Sequence, residues 1–201
     1  MSGSDWFNGG KRKRDRGFMF TASGKGHDLA KPEIHWPDVS HALGMQCRFN
    51  GHTRCFYSVA QHCVNVAKLL RERGYDIETQ LMGLLHDAGE AYVGDITVPV
   101  QRMADTSDLK KLEATVLESV FACASLEVDD DMAAAVHHAD KDMGRLEIRD
   151  LINDDHGFVS FEGLPAWTLQ PSGCMCPEDA ATLWDFYYRT LQRKRGSTCV
   201  T

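Results

Sequence analysis

An all-α fold is what this sequence predicts. Apolar residues recur at three- and four-residue spacings in several separate segments, whereas the strict alternation of a half-buried strand is scarce. Residues that start and stop helices bracket those segments: Ser58 and Asp76 stand before two of them, Gly74 and Gly94 after. A small strand or hairpin near the N-terminus is the expected exception.

The elements follow in order. Residues 1–17 hold Lys11, Arg12, Lys13, Arg14 and Arg16 against Asp5 and Asp15, and read as a flexible basic tail; residues 18–201 are expected to form one domain. FMFT (18–21) suits a short strand, and SGKGHDLAKPEIHWP reads as a Gly- and Pro-rich loop. Gly24 and Gly26 are half of a dinucleotide fingerprint, but they lack a third glycine and any βαβ alternation. Residues 37–47 form a short helix with Pro37 in its first turn, and RFNGHTRCFY then makes a polar, basic loop. From Ser58, one stripe carries Val59, His62, Cys63, Val66, Leu69 and Leu70, so His62 faces inward. Asp76 caps a helix over about 77–92, and a loop with Pro99 follows. A third long helix opens at Ser107 with Leu109, Leu112, Val116, Leu117, Val120 and Phe121 on one face, and another spans about 130–152. Residues 157–173 are irregular or a small hairpin, and EDAATLWDFYYRTLQRKR is a last amphipathic helix.

A chain of 201 residues that is 43% hydrophobic can bury a substantial core. No run approaches the roughly 20 apolar residues of a bilayer span, and the N-terminus has no signal-peptide core, so a cytoplasmic protein without membrane association is expected. The seven cysteines are odd in number and scattered, which reads as reduced thiols; Cys174 and Cys176 have no partner pair for a structural zinc site. The net charge is −7, with +3 in the tail and therefore −10 on the remainder. An acidic body argues against nucleic acid as a partner, because phosphate surfaces are bound by Lys and Arg.

Against this background LLHDAGEAYVGD (84–95) stands out. On a helix stepping about 100° per residue, His86 and Glu90 share a face with Asp87 beside them. His62 lies on the inward stripe of the preceding helix, and Asp140 lies among Ala133, Ala134, Ala135, Val136 and Ala139 on a later one. Buried ionisable groups on separate helices need a shared counter-charge, which a divalent cation supplies. His27-Asp28, a similar pair in a Gly-rich loop, lacks such company.

The order His, then His-Asp, then a distant Asp resembles the HD-domain phosphohydrolase superfamily, whose helical bundle holds a divalent metal. The resemblance covers about residues 37–152 and is carried by SVAQH around His62, LLHDAGE around His86, GDITVPV after it and HHADK around Asp140. Within the superfamily, His-Asp-x-x-Glu followed by Gly-Asp-x-x-x-Pro is similar to the bacterial 5′-deoxynucleotidases and the phage dATP triphosphohydrolases, and HALGMQCRFNGHTRCFYSVAQH is closest to the phage type.

The resemblance implies His62, His86, Asp87 and Asp140 as ligands of Mn²⁺, Co²⁺, Fe²⁺ or Zn²⁺, a donor set that suits first-row ions. It implies Arg48 and Phe49 at phosphate and nucleoside, with Glu90 and Asp95 in catalysis. Glu90 would orient or deprotonate water, and Asp95 would protonate the leaving oxygen or hold a second, Mg²⁺-like ion. His52 and Arg54 are further candidates for phosphate contact. Where the family often has a lysine, this chain has Gln101, followed by Arg102 as a candidate replacement.

The implied substrate is a small deoxynucleotide: dATP or another dNTP, hydrolysed to deoxynucleoside and tripolyphosphate, or a dNMP. A homo-oligomer, dimer or hexamer, is also implied. Two alternatives stand beside this reading. A (p)ppGpp hydrolase typically has His-Asp-x-x-Glu-Asp, whereas Ala91 follows Glu90 here. A non-catalytic helical nucleotide-binding or regulatory module would bind no stoichiometric metal and release no phosphate.

Overall fold

The computed structural model describes residues 17–152 and 156–198. The basic tail, apart from Gly17, therefore lies outside the described residues, as does Cys199. Strand β1 (Phe18–Phe20) pairs antiparallel with β2 (Gly26–Asp28), Met19 opposite His27, and Gly24 at φ +76° helps to turn the chain between them. The Gly- and Pro-rich loop expected over 23–37 thus contains the second strand of a hairpin, and His27 is buried on it, its ring stacked 4.0 Å from that of Tyr92.

Helices make up the rest of the architecture: α1 (Trp36–Met45), α2 (Val59–Glu72), α3 (Ile77–Leu85), α4 (Glu90–Val93), α5 (Val98–Met103), α6 (Ser107–Cys123), α7 (Asp130–Glu147) and α8 (Pro177–Thr198). Their starts obey local chemistry. Ser58, Asp76 and Asp129 each accept the amide three residues on, from Gln61, Thr79 and Met132, which satisfies donors that a helix leaves open.

The fold is all-α, with the hairpin as its small β element. Helix α2 lies at its centre, buried along nearly its whole length, and packs against α1, α3, α7 and α8. Fully buried Leu69 and Leu70 of α2 and Leu81, Leu84 and Leu85 of α3 belong to one core, each contributing about 1.5–3 kcal/mol through removal of apolar surface from water. Gly44 lets α1 and α8 meet closely: a Cβ there would stand 2.6 Å from the Pro177 carbonyl oxygen and 2.9 Å from Ala181 Cβ. The indole of Trp184 on α8, fully buried, donates to the Leu84 carbonyl at 3.2 Å and fastens that helix to α3. No helix of the described residues is long and apolar enough to cross a membrane.

Several expected boundaries differ. The helix expected over 77–92 is broken: α3 ends at Leu85, and residues 86–89 form a tight turn before α4. Its amides bond three residues back, Ala88 to Leu85 and Glu90 to Asp87, where a continuous α-helix would bond four back. Gly89 permits the turn to press on α6, since a Cβ there would stand 3.2 Å from the Glu113 carbonyl oxygen. The Pro99 loop holds the short α5, with proline in its first turn. The helix expected to reach 152 widens after Glu147 into a π-helical turn over Ile148–Ile152.

Cysteine chemistry also departs from expectation. Cys55 and Cys174 are disulfide-bonded, with Cα atoms 6.4 Å apart. They are 119 residues apart in the chain, so only tertiary packing makes them neighbours. Gln61 on α2 holds the segment around Cys174, donating to Gly173 O at 2.7 Å and accepting from Met175 N at 3.0 Å.

Candidate active site

His62 lies one turn into α2 and is fully buried; His86 stands at the C-terminal end of α3. Each has one ring nitrogen committed. His62 Nδ1 is 2.6 Å from Glu147 Oε1, and His86 Nδ1 is 2.8 Å from the Gly83 carbonyl oxygen. A carbonyl and an ionised carboxylate only accept, so both Nδ1 atoms carry hydrogen and both Nε2 atoms keep a lone pair in the neutral ring.

Those Nε2 atoms converge. Asp87 lies 3.6 Å from that of His62 and 3.3 Å from that of His86; Asp140 Oδ1 lies 3.1 Å and 3.7 Å from the same two nitrogens. His62, His86 and Asp87 can bring one ligand atom each within 4.8 Å of one another. Both Nε2 atoms are buried and, although close to these oxygens, form no hydrogen bond of acceptable geometry with them, so both face the space the two carboxylates share. Orphaned lone pairs beside two carboxylates, with the opposite ring nitrogen anchored, are the arrangement expected of imidazoles that hold a divalent cation. The residues present fit such an ion.

Residues 59–165, more than half of the chain, match the HD domain. The chain belongs to the HD-domain family. HD-domain proteins are in general metal-dependent hydrolases, in keeping with the His-His-Asp group. The chain is 36% identical over 156 residues to the uncharacterized protein YfdR of Escherichia coli (strain K12), covering 74% of this chain and 81% of that protein. It is 31% identical over 129 residues to an uncharacterized protein of Rhodobacter capsulatus, covering 61% of this chain and 57% of the relative.

In this HD-domain protein a second layer of polar groups surrounds the histidines. Fully buried Glu147 accepts from Tyr57 OH at 2.9 Å and Arg48 Nε at 3.1 Å besides His62, and Asn65 donates to Tyr57 OH at 3.0 Å. Arg48 also turns Nη1 to Asp87 Oδ2 at 3.4 Å. Glu147 was not among the residues singled out from the sequence. The available signal was its place seven residues, about two helical turns, after Asp140 on the same face of α7.

Carboxylates crowd the space around the two histidines. Burial pushes the Glu90 carboxyl up, the charges of Asp87 and Asp95 push it further, to about 10, and its Oε2 is buried without a partner. Burial likewise raises Asp95, with Asp87 adding to it, and raises Glu113 on α6. Burial and Arg48 act to lower His62, but Glu147 and Asp140 bring it up to about 9. Burial acts to raise Asp140, yet the two histidines hold it well below the usual carboxylate range. Carboxylates thus outnumber the fixed positive charge of Arg48, and a divalent ion would reverse the penalty on Glu90 and Asp95.

The remaining sequence candidates divide by position. Phe49 sits beside Arg48, whose Cζ is 5.5 Å from the ring centroid, within cation–π range. Phe49 and Asn50 adopt left-handed backbone at φ +53° and +51°, and Gly51 follows at +79°, a strained turn of the kind that collects at binding sites. His52 and Arg54 are exposed just beyond that turn, and Arg102 is exposed on α5. Among the described residues no hydrogen bond or ion pair joins these three side chains to the His62–His86 cluster. His137 and His138 are exposed on α7.

Proposed function

We propose that the protein is a divalent-metal-dependent phosphohydrolase of deoxynucleotides. In this reading it converts dATP or another dNTP to deoxynucleoside and tripolyphosphate, or a dNMP to deoxynucleoside and phosphate. The observation that carries the proposal is the convergence of two buried imidazole Nε2 atoms with Asp87 and Asp140, with Arg48 bonded to Asp87 and a buried, unpartnered Glu90 oxygen that feels the Asp87 charge.

His62, His86, Asp87 and Asp140 would hold the ion. When bound, the ion supplies charge stabilisation at phosphate oxygens and makes water more acidic. Arg48 has five N–H donors, of which Nε and one on Nη1 are engaged by Glu147 and Asp87, so the guanidinium is anchored with donors left for a phosphate. Glu90 takes the proton of the attacking water through Oε2, the atom without a partner. Asp95, five residues on, donates a proton to the leaving sugar oxygen. Phe49, held in its strained turn, offers a face to the nucleoside.

The test measures bound metal in the purified protein and screens every dNMP and dNTP for both inorganic phosphate and tripolyphosphate. One ion per chain with release of either product supports the proposal, and the product separates the two substrate classes. Absence of stoichiometric metal together with absence of phosphate release from every nucleotide overturns it.

A further inference from the structure

Gln46 follows the last residue of α1 and ties together two points of the segment that carries Glu90 and Asp95. Its Nε2 donates to the Glu90 carbonyl at 2.8 Å, and its Oε1 accepts from the Asp95 amide at 3.1 Å. The Glu90 carbonyl also receives the Gly94 amide at 2.8 Å, and Gly94 at φ +86° reverses the chain just before Asp95. One side chain therefore holds both ends of the Glu90–Asp95 segment.

The segment needs such a tie. Helix α4 is a single turn with no side-chain cap at its start, and one turn closes too few hydrogen bonds to be stable alone. A primary amide suits the task because it offers a donor and an acceptor in one plane.

Gln46 is itself firmly placed. Its amide donates to Ala42 O at 3.1 Å, and its carbonyl accepts at 3.0 Å from Val59, the first residue of the helix that bears His62. Two residues on, the Arg48 amide donates to Tyr57 O at 2.8 Å. The end of α1, the start of α2, the Arg48 loop and the Glu90–Asp95 turn thus share one reference point.

We infer that Gln46 is a positioning residue for the hydrolytic reaction, setting the Glu90 and Asp95 carboxylates in register with Arg48. The inference rests on the phosphohydrolase reading above. Gln46 touches neither ion nor phosphate; it acts through the backbone of the two acidic residues.

Two variants test it, each measured for metal content, for kcat and KM, and for protection of the Asp95 amide against hydrogen exchange. Gln46→Met keeps length and removes both bonds; Gln46→Glu keeps an acceptor for the Asp95 amide and loses the amide donor to Glu90. Gln46→Met is expected to keep its metal, expose the Asp95 amide and lower kcat by about 10²-fold with KM little changed, the scale of misplacing a reacting group. Gln46→Glu is expected to retain Asp95 protection and lose less turnover. An unchanged kcat in folded Gln46→Met overturns the inference, as does a loss of turnover that merely follows loss of metal. If Gln46→Met fails to fold, Gln46→Glu decides: parental kcat there overturns the inference and a selective fall in kcat supports it. Should the parent hydrolyse no nucleotide, it is the phosphohydrolase reading that fails, and Asp95 protection still reports whether the clamp exists.

Discussion

Glu147 receives the Nδ1 hydrogen of His62 across 2.6 Å, at a depth where both side chains are fully buried. The bond fixes the ring orientation and directs the Nε2 lone pair at Asp87, Asp140 and His86. Replacing one oxygen by an amide nitrogen permits the wrong tautomer. Glu147→Gln is therefore expected to weaken binding of Mn²⁺ or Co²⁺ by about 10- to 100-fold, the usual effect of losing a hydrogen-bond partner behind a ligating imidazole. Metal titration with circular dichroism as the fold control checks this, and parental affinity would show that Glu147 serves only the core.

Asp87 and Glu90 separate binding from chemistry. Asp87→Ala is expected to lose metal and turnover together, because the carboxylate faces both histidines. Glu90→Ala is expected to keep metal and slow turnover by about 10²-fold or more, the scale of general-base loss. Metal analysis beside steady-state kinetics distinguishes the two, and equal turnover in Glu90→Ala and the parent removes the role given to Glu90.

The Cys55–Cys174 bond closes a separation of 119 residues. Removing a link of that span destabilises by about 2–5 kcal/mol, mostly through the freedom it returns to the unfolded chain. Cys174→Ser is expected to lower Tm by roughly 5 °C or more, and a reducing agent should produce the same fall in the parent. Thiol counting in denaturant, before and after reduction, supplies an independent reading: an unchanged count means that the bond is absent.

Acid stability should depend on Asp38. Its carboxylate is buried and accepts from Ser23 N and Ser23 Oγ, both at 2.8 Å, with His35 Nδ1 at 2.9 Å. Burial acts to raise this group, but the Ser23 and neighbouring hydrogen bonds outweigh it and hold the carboxyl below its ordinary value. A depressed folded pKa means that the stabilisation is complete above the unfolded value of about 3.9 and is lost as pH falls through the folded one. Asp38→Asn is accordingly expected to be less stable than the parent near neutrality, with the gap narrowing below about pH 4. Denaturation midpoints at pH 7 and pH 3 measure it; a constant gap would contradict the linkage.

Local chemistry carried much of this molecule into view before any tertiary contact was known. The apolar stripe with His62 on it, the caps Ser58 and Asp76, and the stop at Gly74 depend on 3.6-residue periodicity and on single-residue conformational preferences, both written in the order of the chain. The pairing of His62 with His86-Asp87 and Asp140 was legible for a related reason: isolated ionisable groups on apolar helix faces demand compensation, whatever the fold.

Other features exist only because distant segments meet. The break after Leu85 places Gly89 against Glu113 of a helix whose approach no local pattern encodes. Cys55 finds Cys174, and Glu147 gathers Tyr57, His62 and Arg48, across separations of 85 residues and more. Periodicity tells which face of a helix turns inward. Which residue it meets there depends on the packing of α1, α2, α3, α7 and α8 as solid bodies, because complementary shape and paired hydrogen bonds belong to the assembled core and to no segment alone.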